Sequence, residues 1–249
     1  MKKRSFDSRE IRRYSRQIVL KKWGLEAQRK LKNATVTIVG LGGLGTVVSA
    51  HLAKVGVGKI RLVDPDIVEE VNLSAQLLHW DEDVDKLKVV SVKEKLEKMN
   101  PFIKVETIQE KLTKENSEEL LGNSDVVVDA TDNMIARGII NETCVKLRIP
   151  FVHAGILGFR GQVLTIVPGK GPCLACLFSD FTTGPRSCPV VGAAVATLAS
   201  IQALEVIKLI TGLGKNLVGR LLIFDGFAGE VDIIQVNRRE DCPVCGGIT

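Results

Sequence analysis

The 249-residue sequence lacks a strong excess of charge, an apolar leader and an uninterrupted apolar segment of membrane-spanning length. Its net charge of +5, from 34 basic and 29 acidic residues, gives no indication of nucleic-acid binding. No apolar core follows the basic residues 1–10, so we expect no secretory signal peptide and a cytoplasmic protein. The most apolar run, 190–210, contains Glu205 and Lys208, and we therefore expect a buried helix there and no membrane association.

Six cysteines are present, and four of them form the pairs "CLAC" and "CPVC". The six are Cys144, Cys173, Cys176, Cys188, Cys242 and Cys245. Without a secretory signal, two C-x-x-C pairs favour a metal over disulfides. Four thiolates suit tetrahedral Zn²⁺ in a closed structural site that would join the C-terminal segment to the middle of the chain. An iron–sulfur cluster is the alternative on ligand type, and Cys144 is expected in the core.

The sequence begins with two helix-like segments within 1–34, the first of them over 8–21. Strand-like and helix-like segments then alternate from 35 to 156. Such alternation predicts a Rossmann-like, doubly wound, mainly parallel sheet over 35–156. In 157–249 three further strands have little helix between the last two, and residues 226–229 suit a hairpin turn. We therefore expect a single α/β domain, 1–249, with antiparallel strands added to the same sheet.

The stretch "TVTIVGLGGLGTVVSAHLAKVGVGKIRLVD" contains a G-x-G-x-x-G loop between a strand and a helix. Gly40 permits the tight turn, Gly42 lets the backbone approach a phosphate, and Gly45 lets the helix pack on the strand. The free N–H groups of the helix N-terminus would face the anion. Asp64, at the end of the next strand, can bind ribose hydroxyls. The motif alone does not distinguish NAD, FAD and ATP.

The motifs "RRYSRQIVL", "GLGGLG", "VDPDIVEEVNL", "KLKVV", "DATDN", "GQV", "PCLAC" and "CPVC" occur in one order. Together they resemble the MoeB/ThiF/HesA family, relatives of ubiquitin-activating enzymes, over residues 8–246. The resemblance implies binding of Mg²⁺ and ATP and adenylation of a carboxylate, usually the C-terminal Gly-Gly of a ubiquitin-like sulfur carrier used in cofactor biosynthesis. It also implies a homodimer and a carrier-binding role for the zinc-containing half, 157–249.

The resemblance assigns a role to each residue that matches a family motif. Gly40, Gly42 and Gly45 would shape the phosphate loop, and Asp64 would bind the ribose. Lys88 would contact a phosphate of ATP, Asp132 would engage magnesium, and Asn72 belongs to the N-L-x-R-Q motif of the ATP site. Arg16 would cross a dimer interface to the partner's ATP. Each of three residues also has a purely structural alternative. Arg16 and Lys88 could be solvated charges on helices, and Asp132 could cap a helix. Because a carboxylate is already ionised near neutral pH, adenylation needs no general base, and three histidines are no objection.

One position departs from the family pattern, because Ala75 occupies the place of the arginine in N-L-x-R-Q. The segment 64–85 contains eight acids and no lysine or arginine that could replace it. Removing such an arginine costs about 10³–10⁵ in rate where it acts as a finger. Two alternatives to carrier activation follow: adenylation of a small carboxylate, and a nucleotide-binding scaffold with weakened turnover. An NAD-linked oxidoreductase is a further alternative from the glycine loop, but it would leave Lys88, Asp132 and Arg16 without a role.

Two further features raise alternatives of their own. Cys188 matches a loop cysteine that in some relatives forms a thioester or persulfide with the carrier, but it is equally readable as a non-essential thiol. An apolar stripe near the N-terminus needs a surface to cover it, and the resemblance implies that this surface is a second subunit. The stripe consists of Ile11, Tyr14, Ile18 and Val19.

Overall fold

The computed structural model describes residues 6–182 and 189–247, which form an eight-stranded sheet with helices on both faces. The strands are β1 (Thr35–Val39), β2 (Lys59–Val63), β3 (Lys104–Ile108), β4 (Val126–Asp129), β5 (Phe151–Leu157), β6 (Arg160–Ile166), β7 (Arg220–Asp225) and β8 (Glu230–Gln235). The α-helices are α1 (Ser8–Arg13), α2 (Ser15–Ile18), α3 (Gly24–Asn33), α4 (Gly43–Val55), α5 (Lys88–Met99), α6 (Ser117–Leu121), α7 (Met134–Leu147), α8 (Leu174–Leu177) and α9 (Gly192–Thr211).

The strand order is β3-β2-β1-β4-β5-β6-β7-β8. Strands β1 to β5 pair in parallel, and β6, β7 and β8 pair antiparallel to their neighbours. The predicted doubly wound sheet with added antiparallel strands is therefore confirmed. The chain leaves β1 toward β3 on one side and returns to β4 on the other, which opens a crevice at the carboxyl ends of β1 and β4.

Helix α9 is the one helix in the described ranges that is long and apolar enough to cross a membrane, and it packs on the sheet as a core helix. Its polar side chains find partners inside the protein. Gln202 Nε2 donates hydrogen bonds to the carbonyl oxygens of Asp129 (2.8 Å) and Val152 (2.9 Å). Glu205 accepts from the backbone N–H of Leu217 at 2.7 Å. These contacts agree with the buried helix expected over this run.

The N-terminal segment differs from the single helix expected over residues 8–21, because α1 and α2 are separated at Tyr14. The Tyr14 side chain is buried, and its hydroxyl accepts a hydrogen bond from Asn100 Nδ2 at 2.8 Å. Tertiary packing of Tyr14 thus overrides helix continuity. The predicted apolar stripe is divided accordingly, with Tyr14 in the core and Ile11 and Val19 exposed.

Candidate functional site

A cavity of about 900 Å³ occupies the crevice at the carboxyl ends of the central strands. One end lies beyond β2 and β3 and is lined by Asp64, Asp66, Lys111 and Leu112. The other end lies along β5, β6 and β7 and is lined by Gly155, Gln162 and Ile223 on these strands and by Arg137 on α7. The glycine loop follows β1, which lies between β2 and β4 in the sheet, and it lines the cavity between the two ends.

The glycine loop turns sharply between β1 and α4 and aims the helix N-terminus into the cavity. Gly40 has φ +91°, and a Cβ there would lie 2.6 Å from the carbonyl oxygen of Ala130. A Cβ on Gly45 would lie 1.9 Å from the carbonyl oxygen of Gly40. Both glycines are therefore required by space, and the N–H groups of the first turn of α4 can bind an anion.

The carboxylate of Asp64 holds the backbone of this loop. Its Oδ2 accepts from the N–H of Leu41 at 2.6 Å, and its Oδ1 accepts from the N–H of Asp66 at 2.8 Å. Burial raises the pKa of Asp64, and these hydrogen bonds and the nearby charge of Lys88 oppose the rise. Asp64 also lines the cavity, so it supports the loop as well as facing a ligand.

His79 was not expected from the sequence, yet it binds the same loop from the other side. Its Nε2 lies 3.1 Å from the carbonyl oxygen of Leu41, and its Nδ1 lies 2.9 Å from Ser91 Oγ. Because a carbonyl can only accept, Nε2 carries the proton and Nδ1 accepts from Ser91. Lys95 Nζ donates to Ser91 Oγ at 3.0 Å and also pairs with Asp83. Burial lowers the pKa of His79, which keeps the ring neutral.

Lys88 is the first residue of α5 and is 7% exposed, so it is not one of the helix's solvated charges. Its Nζ lies 3.4 Å from Asp66 Oδ2, and both residues line the cavity. The loop between β2 and α5 therefore delivers one buried cation to the cavity wall.

Asp132 and Asn133 lie on the cavity wall at the start of α7. The helix cap is Asn133, whose Oδ1 accepts from the N–H of Ala136 at 2.9 Å. Asp132 is exposed, and its Oδ1 accepts a hydrogen bond from Asn133 Nδ2 at 3.3 Å. The alternative of Asp132 as the helix cap is therefore wrong, and its carboxylate is available to a cation in the cavity.

Three of the expected site residues do not line this cavity, and one of them, Gly45, lies against Gly40 within the loop instead. Arg16 is exposed on α2, and Asn72 uses its Oδ1 to accept from the N–H of Glu69 at 3.1 Å. Ala75 does line the cavity, and its carbonyl oxygen lies 3.1 Å from where a Cβ on Gly43 would be. The missing arginine of N-L-x-R-Q would therefore have stood beside the glycine loop. Cys188 lies outside the described residues.

The cavity wall also carries Arg137 from α7 and Gln162 from β6, neither of which the sequence motifs had assigned a role. A hydrogen-bonded pair, Asp129 and His153, lies buried behind them. The motif "GQV" contained Gln162, but no local pattern connected it to a histidine nine residues earlier.

The two C-x-x-C pairs come together as one cluster away from the cavity. All four Sγ atoms lie within 4.8 Å of one another, with Cys173–Cys242 at 3.6 Å and Cys176–Cys245 at 3.5 Å. Tetrahedral zinc with Zn–S bonds of about 2.3 Å separates its sulfurs by about 3.8 Å. The donor set and its spacing fit such an ion, and these cysteines would hold it between α8 and the C-terminal turn. Cys144 is buried elsewhere in the core.

Together these features define an α/β protein with a glycine loop in the sheet crevice and a separate cysteine cluster. The ThiF family model matches residues 14–244. The chain is 40% identical over 248 residues to the SAMP-activating enzyme E1 of Haloferax volcanii, covering 97% of this chain and 91% of that protein. It is 40% identical over 245 residues to the sulfur carrier protein ThiS adenylyltransferase of Escherichia coli, covering 97% of both.

Solved structures show the same fold. The crystal structure of E. coli MccB with MccA-N7isoASN aligns with a TM-score of 0.86 and 26% identity over 99% of this chain and 77% of that one. The structure of MccB with ATP aligns with a TM-score of 0.83 and 28% identity over 94% of this chain and 74% of that one. The chain belongs to the ThiF family. It is an adenylyltransferase of that family, as the motif resemblance predicted.

Proposed function

We propose that this adenylyltransferase uses ATP to activate the C-terminal carboxylate of a ubiquitin-like carrier protein that ends in Gly-Gly, for sulfur transfer in cofactor biosynthesis. One observation carries the proposal: a single cavity joins a nucleotide end to an open acyl end across the glycine loop. The similarity to the E. coli ThiS adenylyltransferase supports this substrate class.

In the proposed reaction a carboxylate oxygen attacks the α-phosphorus of ATP, and pyrophosphate leaves with the electrons of the broken P–O bond. The carboxylate is already ionised, so the residues mainly position the reactants and neutralise phosphate charge. Asp64 would bind the ribose, the α4 N-terminus and Lys88 the phosphates, and Asp132 would hold Mg²⁺. Bound magnesium supplies positive charge to the phosphate oxygens.

The protein acts as a homodimer in this proposal. Arg16 lies on an exposed helix outside the described cavity, so it reaches ATP only if a second copy brings it there. Ala75 leaves the neighbourhood of the glycine loop without the usual guanidinium. Arg16 of a partner would supply that charge, and the exposed Ile11 and Val19 near it would be covered by the same contact.

The proposed surface for the carrier is strand β8, at the edge of the sheet. Val231, Ile233 and Ile234 are exposed on it, and one backbone edge of the strand is unpaired among the described strands. An edge of this kind can accept a strand from a partner. Strand β7 lies next to it and contributes Ile223 to the acyl end of the cavity, so a tail that leaves a carrier docked at β8 has a short path to the glycine loop.

We also propose a domain organisation, a location and roles for the cysteines. The chain is one domain, 1–249, with N-terminal helices in 1–34, a nucleotide-binding half in 35–156 and a carrier-binding, zinc-containing half in 157–249, and it works in the cytoplasm. Zinc has a structural role at Cys173, Cys176, Cys242 and Cys245. Cys188 either forms a covalent link to the carrier or has no essential role.

The absence of an arginine at Ala75 favours a second candidate, adenylation of a small carboxylate. ATP–pyrophosphate exchange, run with a panel of Gly-Gly carrier proteins and a panel of small acids, distinguishes the two. Exchange that depends on a Gly-Gly carrier supports carrier activation. Exchange with small acids alone supports the second candidate, and tight ATP binding without exchange in any case would indicate a scaffold with weakened turnover.

A further inference from the structure

Behind the acyl end of the cavity, Asp129 and His153 form a fully buried pair, with Oδ2 and Nδ1 2.7 Å apart. The other oxygen of Asp129 accepts from the N–H and the hydroxyl of Thr131, at 3.1 and 2.7 Å. Arg137 Nε lies 4.0 Å from Asp129 Oδ2, so the carboxylate already has a cationic neighbour. Burial lowers the pKa of His153, and the ring is therefore neutral with its proton on Nδ1.

This tautomer fixes the orientation of Gln162. His153 Nε2 then carries only a lone pair, and it lies 3.5 Å from Gln162 Nε2. The reverse amide orientation would put the Gln162 carbonyl oxygen against that lone pair. Because Gln162 lines the cavity, the orientation with Nε2 toward His153 leaves its Oε1 available as a hydrogen-bond acceptor in the cavity.

Arg137 lies next to this acceptor. Its Nη2 and Nη1 are 3.3 and 3.4 Å from where a Cβ on Gly155 would be, so the guanidinium lies close against this glycine, and a side chain there would crowd it. Gly155 is directly opposite Gln162 in the β5–β6 register, and Arg137 and Gln162 therefore flank the same glycine.

Two of the five N–H groups of Arg137, one on each Nη, are left for a ligand by the contacts among the described residues. Nη2 donates to the carbonyl oxygen of Thr131 at 2.8 Å, and Nη1 approaches Met134 Sδ at 3.7 Å. Nε is buried and has no hydrogen-bond partner in the described part of the chain. A guanidinium has five N–H donors suited to carboxylates, so this one can bind a further anion from the cavity.

We infer that Arg137 and Gln162 form an acyl-binding subsite for the C-terminal residue of a polypeptide. Arg137 binds one carboxylate oxygen and leaves the other to attack ATP, while Gln162 Oε1 accepts the N–H of the last peptide bond. Asp129 and His153 are positioning residues that orient the Gln162 amide. The inference rests on the proposed adenylation and adds a selection rule: the acid must carry an N–H donor one carbon from its carboxylate, which a simple acid lacks.

The test uses two synthetic peptides that end in Gly-Gly and differ only at the last linkage, an amide in one and an ester oxygen in the other. Pyrophosphate exchange gives kcat/KM for each peptide. We expect the wild-type enzyme to prefer the amide by about tenfold or more, because the ester offers no donor to Gln162 Oε1 and places an oxygen lone pair against it. Gln162→Leu should reduce the preference to about twofold with an unchanged KM for ATP. Gln109→Leu, the same change at an exposed position that does not line the cavity, should leave it intact.

Two further variants separate orientation from folding. His153→Asn keeps an N–H donor for Asp129 but has no acceptor for Gln162, so the amide preference should fall while thermal unfolding stays near that of the wild type. Arg137→Gln should raise the KM of both peptides equally and preserve their ratio.

Equal use of both peptides by the wild type, or an amide preference that survives Gln162→Leu, would overturn the inference. So would exchange with an intact carrier but with neither peptide, and in each of these cases the proposed function would stand. Absence of exchange with every carrier, peptide and small acid would overturn the proposed function itself, together with the subsite that rests on it.

Discussion

Asp64 and His79, which are both distant from Leu41 in sequence, bind the backbone N–H and the backbone carbonyl of Leu41 in the glycine loop. The Leu41 N–H donates to Asp64 Oδ2 at 2.6 Å, and the Leu41 carbonyl oxygen accepts from His79 Nε2 at 3.1 Å. These two contacts hold the loop in one conformation without a ligand. Such preorganisation lowers the entropic cost of binding.

Loss of the His79 donor should weaken ATP binding. In His79→Phe the Leu41 carbonyl loses its buried partner, and we expect KM for ATP to rise about fivefold to tenfold, with a smaller effect on kcat. His79→Gln is the matched control, since a glutamine Nε2 can replace the imidazole donor. Equal KM values for ATP in both variants, measured by pyrophosphate exchange, would show that the hydrogen bond to Leu41 does not matter.

The same histidine predicts a dependence of stability on pH. Burial and the nearby Lys95 and Lys88 lower the pKa of His79 in the folded protein, while the ring in the unfolded chain titrates near 6.5. As pH falls below about 6.5 the unfolded chain takes up a proton that the folded protein does not, so the free energy of unfolding falls. Between pH 8 and 5.5 we expect this ring to remove up to about 1.4 kcal/mol.

Urea unfolding of the wild type and His79→Gln at both pH values measures that difference. The glutamine variant should lose less stability on acidification, and the part that remains includes His153 and His51, whose pKa values burial also lowers. An identical loss in the two proteins would contradict the neutral, buried state assigned to His79.

Asp132→Ala should abolish turnover of Mg²⁺-ATP without unfolding the protein, because Asp132 is exposed and does not cap α7. The neighbouring Asn133→Ala is an informative control. It removes the helix cap and should cost about 1 kcal/mol of stability, yet keep the exchange activity. Normal exchange in Asp132→Ala, with an unchanged melting temperature, would remove Asp132 from the mechanism.

The cysteine cluster should bind about one zinc ion per chain. Cys242→Ser should lose the metal and lower the melting temperature, because the ion stabilises the folded state. Cys144→Ala changes a buried thiol outside the cluster and should retain zinc, with only a packing cost. Metal analysis of purified protein together with thermal unfolding checks this, and a metal-free protein that melts at the wild-type temperature would contradict it.

Arg16 should act across a dimer. Inactive Arg16→Ala chains mixed with inactive Asp132→Ala chains form hybrid dimers with one site lacking both groups and one site intact, so activity should partly return. Subunit exchange is confirmed separately with differently labelled chains. If exchange occurs and no activity returns, Arg16 serves its own chain or does not contact ATP.

The sequence predicted those parts of the fold and of the site that are determined by residues close together in the chain. The glycine loop, the alternation of strands and helices, the β7–β8 hairpin and the cysteine spacing each depend on a short stretch of residues, and all were placed correctly. The break between α1 and α2 was missed because burial of Tyr14 against Asn100, 86 residues away, decides it.

The missed site residues have the same explanation. His79 and Leu41 are 38 residues apart, and Asp129 and His153 are 24 apart. Asp129 and His153 meet because β4 lies beside β5 in the sheet. His79 and Leu41 meet because the segment after β2 folds over the glycine loop. The burial of Lys88 likewise depends on this loop, and the charge pattern of α5 alone suggested an exposed lysine.

Adenylation of a Gly-Gly carrier is tested most directly by incubating the protein with Mg²⁺-ATP and the carrier and identifying the products by mass spectrometry. We expect AMP joined to the carrier's C-terminal carboxylate, with one pyrophosphate released for each adenylate formed and none in Asp132→Ala. Release of ADP and phosphate, or an unmodified carrier with every Gly-Gly protein tested, would contradict it.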